Sequence, residues 1–272
     1  MSRRTRSWAI GAAAWAVVAS CVSQNQGVGV VPSEEDRDYG LSSSSDVIVT
    51  SEAGDKLAKK ENVTFRDGDG HGTRVVVYPE ASRQAVTGIG TSFTESSAFV
   101  LAHLEPSARR GVMEKIYGEN GANFSMARTT IGATDFSVEG KYSYADVPGD
   151  VALSHFSVDI DRAGFSAQRY PGVKDESFDL LPMIKEALAI KAGQSDPSLR
   201  IVASAWTAPP WMKDIEDWYV PMSPDNDYQG TGGVLKPECV STYANYLVKY
   251  LDAYAAEGVP IWGLTPINEP EG

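Results

Sequence analysis

The sequence predicts an α/β protein whose parallel sheet forms the first half of a (β/α)8 barrel. From residue 86 onward, short apolar runs alternate with stretches of helical periodicity, the pattern of strand, helix, strand, helix that builds a parallel sheet. Long insertions follow the second and third strand candidates, at about 138–177 and 207–238, where a barrel of this kind builds its active-site loops. The strand candidates are 86–93, 122–131, 199–206 and 260–267, so half of an eight-stranded barrel is accounted for.

Before this domain the chain changes character twice. Arg3, Arg4 and Arg6 precede an apolar run at 8–19, and residues 1–21 read as a secretory signal peptide, too short in its apolar part for a comfortable membrane span. The run ends in VASC at 18–21, which resembles the lipobox of bacterial lipoproteins; Cys21 is then the lipidated residue and the protein is attached to the cell envelope. An ordinary signal peptide with a cysteine beside the cut is the alternative, and it gives a secreted protein. Either way the chain is exported, and Cys239 is the one cysteine left to the mature protein, expected as a buried thiol without a disulfide. Residues 22–61 are polar and irregular, with an acidic run at 34–38 and serines at 42–45, a composition that buries too little apolar area to offset its ordering entropy. They are expected to form a flexible linker. Two β-branched runs at 63–65 and 74–78 flank DGDGHG at 67–72 and predict a hairpin within a short β region at 62–85. DGDG lacks the remaining ligand spacing of a calcium loop, and GIG at 88–90 lacks the lysine and third glycine of nucleotide loops.

In the domain from 86 to 272, helices are expected around 96–117, 178–192 and 241–256. The last places Tyr243, Leu247, Tyr250, Leu251 and Tyr254 on one face. With 24 basic and 36 acidic residues the net charge is −12, which argues against a grip on nucleic-acid phosphates. His71, His103 and His155 have no metal-ligand spacing and no serine partner, so no metal or cofactor is expected.

The chemistry concentrates at strand ends. Glu269 in WGLTPINEP stands directly after the fourth strand candidate, beside Asn268, whose amide can bind a sugar hydroxyl. Retaining glycoside cleavage uses two carboxyls, one as acid/base and one as nucleophile. A single glutamate is by itself a solvated surface residue. Four further segments change that reading: GIGTSFTESSA at 88–98, ARTTIGATDFS at 127–137 with YSYADVPGD at 142–150, ASAWTAPPWMK at 203–213, and WGLTPINEP at 262–270. In this order they resemble successive strand ends of the glucosylceramidase family, glycoside hydrolase family 30.

The resemblance covers roughly 62–270 and implies a β-glycosidase with a (β/α)8 barrel and a β-sandwich, of which 62–85 are the first strands. It implies that Glu269 is the acid/base, that Asn268 binds the sugar 2-hydroxyl, that Asp135 accepts bonds from outer glucose hydroxyls, and that Trp206 lines the same subsite. Arg128 matches an arginine beside the nucleophile, where an opposite charge favours the ionised carboxyl. Taken alone, Asp135 could cap a turn, Trp206 could fill core, and Arg128 could serve a structural salt bridge; Trp211 and Tyr144 read as loop packing. The implied partner is a β-glucoside, either a glycolipid such as glucosylceramide or a β-1,6-glucan.

The family's nucleophile is a glutamate on a later strand, and no second glutamate of this sequence stands in such a motif; Glu95 falls where the family usually has a non-catalytic aspartate. The expectation is therefore a β-glycosidase sequence cut before its nucleophile and inactive as 272 residues. The alternatives are a non-catalytic, surface-anchored sugar-binding lipoprotein and an inactive gene fragment.

Overall fold

The computed structural model describes residues 8–9, 44–64, 72–75, 78 and 81–270. The chain forms two compact units, Met1–Ala85 and Val86–Gly272.

In the first unit, β1 (Trp8–Ala9) pairs antiparallel with β4 (Arg74–Val75), and β2 (Ser44–Val49) pairs antiparallel with β3 (Ala58–Thr64). The β2–β3 hairpin corrects the linker expectation, because its strands begin well inside 22–61. Three successive β-branched residues, Val47, Ile48 and Val49, supply the strand, and the turn is closed by Ser51 and Lys60 donating to the Asp55 carboxylate at 2.9 and 2.5 Å. Among the described residues the two runs expected to form a hairpin, 63–65 and 74–78, pair elsewhere: Val63 with Ser45, and Arg74 with Ala9. Trp8 and Ala9 lie within the segment read as a leader. The rest of that leader, Cys21, the first part of the linker, and DGDGHG up to His71 lie outside the described residues.

The second unit is a four-stranded parallel sheet in sequential order: β5 (Gly90–Phe93), β6 (Met126–Ile131), β7 (Arg200–Ala205) and β8 (Ile261–Thr265). Strand and helix alternate as the sequence predicts, and the sheet is part of a (β/α) barrel. The first helical stretch is divided, however, into α1 (Glu95–Ala102) and α2 (Pro106–Tyr117). Pro106 has no N–H to continue the first helix and is pre-shaped for the first turn of the second. Arg109 of α2 donates to Asp175 at 2.8 Å and to Glu186 at 3.3 Å and lies over the Phe178 ring, which fixes α2 against α3 (Leu180–Ala192). Among the described residues no helix is long and apolar enough to cross a membrane.

Side-chain alternation along the strands separates two faces. Ala127 and Ile131 of β6 and Ile201, Ala203 and Ala205 of β7 are buried in the core with Leu181, Ile184 and Ala187 of α3. The opposite face is polar, carrying Arg128, Thr130, Ser204 and Thr265. The fourth helix, α4 (Val240–Ala256), buries Tyr246, Tyr250 and Tyr254, while Tyr243, Leu247 and Leu251 lie partly buried at the edge of the core. Cys239, just before α4, is a free buried thiol.

The tyrosines organise the first insertion. Tyr144 stacks on Tyr250 at 5.8 Å and on Tyr246 at 6.2 Å, and both Tyr144 and Tyr254 donate their hydroxyls to Asp161 Oδ2 at 2.6 Å. Tyr144 is thus core, as its loop-packing reading expects. Burial pushes the Asp161 carboxyl up from 3.8 to about 7, against the opposing pull of the two hydroxyls. Between those two values the folded chain holds a proton that the unfolded chain has lost, so the fold loses stability as pH rises from about 4 through about 7. Asp161→Asn should remove a few kcal/mol of this loss, at ~1.4 kcal/mol per unit of pKa difference. Urea-unfolding midpoints of the two proteins at about pH 5, where most of the loss is still to come, and about pH 8, above the folded value, would check it; an equal drop between the two pH values in both proteins would contradict it.

Candidate active site at the strand ends

Three of the four strands lead at their C-terminal ends into site residues: β6 into Asp135, β7 into Trp206, and β8 into Asn268 and Glu269. The register aligns Ser92, Arg128, Val202 and Gly263 across the four strands, and one step of alternation further on it aligns Thr130, Ser204 and Thr265. Arg128 reaches along this face: its Nη2 donates to Ser204 Oγ at 2.9 Å and to Asn268 Oδ1 at 2.6 Å, and its guanidinium lies 4.7 Å from the Trp206 ring. Thr265 donates to the same Ser204 oxygen at 2.6 Å. Arg128 forms no ion pair among the described residues, so the structural salt bridge allowed by its sequence context is not what holds it; its contacts are neutral acceptors and an indole face.

Beyond β6, Gly132 takes φ +76°, where a Cβ would meet Tyr142 O at 3.1 Å, and Ala133 N donates to that same oxygen at 3.0 Å. The chain then turns on two hydroxyls. Ser137 Oγ accepts from Thr134 N at 3.0 Å, and Thr134 Oγ1 accepts from Phe136 N at 3.2 Å. Thr134 and Ser137 therefore do the capping that Asp135 could have done, and Asp135 stays exposed. Its Oδ1 accepts the Trp206 Nε1 proton at 3.2 Å. Trp206 is only half-buried, with Phe136 edge-on at 6.1 Å, so it is not core filling.

At the end of β8, Asn268 N donates to Ala205 O at 2.6 Å and Tyr243 donates its hydroxyl to Pro266 O, which pins the turn to β7 and α4. Glu269 follows with φ +47°, a left-handed conformation rare for a residue with a side chain, and its side chain is exposed. Such an outlier is a pointer to function when it falls at a strand end.

The structure thus joins Asp135, Trp206, Arg128 and Asn268 into one chain of contacts and sets Glu269 next to it in sequence, without a described hydrogen bond from Glu269 to the others. Sequence reasoning missed Ser204, which accepts from Arg128, and Thr265, which donates to Ser204. The signal for Ser204 was the alternation in ASAW, a lone hydroxyl between two helix-facing alanines. Glu95, which the sequence placed where the family usually has a non-catalytic aspartate, has a carboxylate that accepts Val138 N at 2.7 Å and Glu139 N at 2.8 Å. No group of three His, Cys, Asp or Glu side chains able to hold a metal occurs among the described residues.

The two insertions enclose a separate cleft of about 690 Å3, lined by Trp211, Trp218, Lys141, Glu216 and Lys236 among others. Its cations are already engaged: Lys236 pairs with Glu216 at 2.6 Å, and Lys141 sits over the Tyr219 ring at 4.1 Å. Lys213, buried within the second insertion, donates to Thr207 Oγ1, Trp218 O and Gly232 O at 2.7–2.9 Å, and burial pushes its pKa down to about 8.

A parallel (β/α) sheet that gathers a carboxyl and an indole–carboxylate–guanidinium array at its C-terminal edge has them where (β/α) barrels build their active sites. Comparison with known proteins narrows this. The sequence profile of the glycosyl hydrolase family 30 TIM-barrel domain matches residues 86–272. The chain is 29% identical over 201 residues to the lysosomal acid glucosylceramidase of Mus musculus, covering 74% of this chain and 34% of that protein. It is 32% identical over 193 residues to the endo-1,6-beta-D-glucanase neg1 of Aspergillus fumigatus, covering 69% and 36%. Among solved structures it resembles SrfJ from Salmonella typhimurium with a TM-score of 0.55 and 25% identity, over 79% of this chain and 41% of that one. The chain belongs to glycosyl hydrolase family 30. It spans about a third of the length of the two sequence relatives.

Replacing Arg128 by Lys tests the array. A lysine ammonium is a point charge that cannot reproduce the planar contacts to Ser204, Asn268 and the indole. The variant should lose roughly 1–3 kcal/mol of stability and shift the Trp206 emission; an unchanged unfolding midpoint and spectrum would show that the contacts carry no weight.

Proposed function

We propose that residues 86–270 supply the glucose-binding groups and the acid/base carboxyl of a retaining β-glycosidase acting on β-glucosides. The observation that carries this reading is the contact chain from Asp135 through Trp206 and Arg128 to Asn268, with Glu269 immediately after it. In this reading the Trp206 ring borders the sugar, and Asp135, held by the indole N–H through one oxygen, offers its remaining lone pairs to sugar hydroxyls. Asn268 bonds the 2-hydroxyl through its NH2, its own oxygen being occupied by Arg128.

Glu269, protonated, delivers its proton to the leaving glycosidic oxygen. As a carboxylate it then takes a proton from the water that releases the sugar. The first step also needs a carboxylate to attack the anomeric carbon, about 5–5.5 Å from the first carboxyl. Arg128, cationic and without an acid partner among the described residues, would favour the ionised form of such a group. The names of the relatives, glucosylceramidase and endo-1,6-β-D-glucanase, point to a β-linked glucosyl unit on either a lipid or a glucan. A non-catalytic sugar-binding role uses the same array without the second carboxylate.

The purified chain should bind phenyl β-glucoside, with quenching of tryptophan fluorescence, and Asp135→Asn should weaken binding about tenfold, the loss expected for one charged hydrogen bond. Equal affinities would remove the basis of the reading. No hydrolysis is expected from the 272 residues alone; turnover that disappears in Glu269→Gln would show that this chain also contains its nucleophile. For the leader, we propose export and lipid attachment through Cys21. Cys21→Ser should move the protein from the membrane fraction to the soluble fraction, and an unchanged distribution would count against lipidation.

A further inference from the structure

We propose that Glu95 is a positioning residue: it clamps the loop after β6 to the start of α1 and thereby sets the Asp135 carboxylate against Trp206. The inference rests on the reading of Asp135 as a sugar-binding group. Glu95 is the first residue of α1, behind the N-cap Thr94, whose hydroxyl accepts Ser97 N at 3.1 Å. It is 4% exposed, although carboxylates are rarely buried without a cation, and no Lys or Arg pairs with it among the described residues.

Both oxygens are spent instead on adjacent backbone amides. Oε2 accepts Val138 N at 2.7 Å and Oε1 accepts Glu139 N at 2.8 Å, while neighbouring Ser96 donates to Phe136 O at 2.6 Å. Burial pushes the Glu95 carboxyl up and the two amides pull it down. With both oxygens engaged by the backbone, Glu95 is not free to act as a second catalytic carboxyl.

The geometry explains why this clamp acts on Asp135 in particular. Residues 136, 138 and 139 are tied to the α1 terminus, and 134 and 137 are tied to each other. Asp135 sits between these two sets of bonds, and its carboxylate meets the Trp206 N–H at 3.2 Å. A loop released at 138 and 139 would let that carboxylate leave the indole without disturbing the sheet.

The test uses the full chain labelled with 15N at tryptophan. The Trp206 indole resonance is assigned by its absence in Trp206→Phe, and Asp135→Asn should shift it upfield. Glu95→Gln, which replaces one acceptor oxygen by a donor, should shift it in the same direction by a comparable amount, and Glu95→Asp, with a shorter reach, by less. In the phenyl β-glucoside titration, Glu95→Gln should weaken binding about tenfold. In the Asp135→Asn background it should weaken binding by less than about twofold, because coupled residues do not add.

An indole resonance unmoved by folded Glu95→Gln or Glu95→Asp would overturn the clamp. So would an equal loss of affinity in both backgrounds, which is what a general structural role produces. If Asp135→Asn leaves affinity unchanged, the sugar-binding reading fails instead, while the indole shift still decides whether Glu95 positions Asp135.

Discussion

The in-register parallel pairing of β6 with β7, from Met126 opposite Arg200 to Ile131 opposite Ala205, governs most of what this domain can do. Because side chains alternate across a strand, that register sends Ala127, Ala203 and Ala205 to the helices and Arg128, Thr130 and Ser204 to the other face. A slip of one residue would bury the guanidinium against α3 and turn alanines toward the site. The register also decides which residues follow the strands. Asp135 and Trp206 leave the sheet from neighbouring strand ends and meet, although they are far apart in sequence.

Polar groups at the site are held by neutral contacts more than by ion pairs. Arg128 sits among a hydroxyl, an amide oxygen and an indole face; Asp135 accepts from an indole; Glu95 accepts from backbone amides. Such an arrangement leaves a cation and a carboxylate with unspent hydrogen-bonding capacity at the sheet edge. Ion pairs such as Arg109 with Asp175 and Glu186 lie instead between helices, where they fix packing.

Below the insertions, aromatic burial takes the place of regular secondary structure. Tyr144, carried on a loop, stacks on Tyr246 and Tyr250 of α4 and shares Asp161 with Tyr254. Trp211 ties the second insertion back to the first by donating to Ala145 O at 2.8 Å. These contacts give long loops a fixed path despite their glycines and prolines, and Lys213 does the same from within with three donated hydrogen bonds.

The strand–helix alternation from residue 86, the helical face of Tyr250 and Tyr254, and the strand-end placement of Asp135, Trp206 and Asn268 were all legible in the sequence, because period and motif are local properties. Local rules also misled: the polar stretch before residue 61 contains a hairpin, and the helix around 96–117 is broken at Pro106. By itself the sequence determined the α/β class and the residues that leave each strand end. Only the tertiary structure decided what they touch: that Arg128 has neutral partners in place of a carboxylate, that Asp135 meets an indole in place of capping its own turn, and that Glu95 is spent on the backbone of a loop more than 40 residues away. Those outcomes depend on strand register and on which loop lies over which helix terminus, and contacts across such sequence distances leave no periodic trace in the chain.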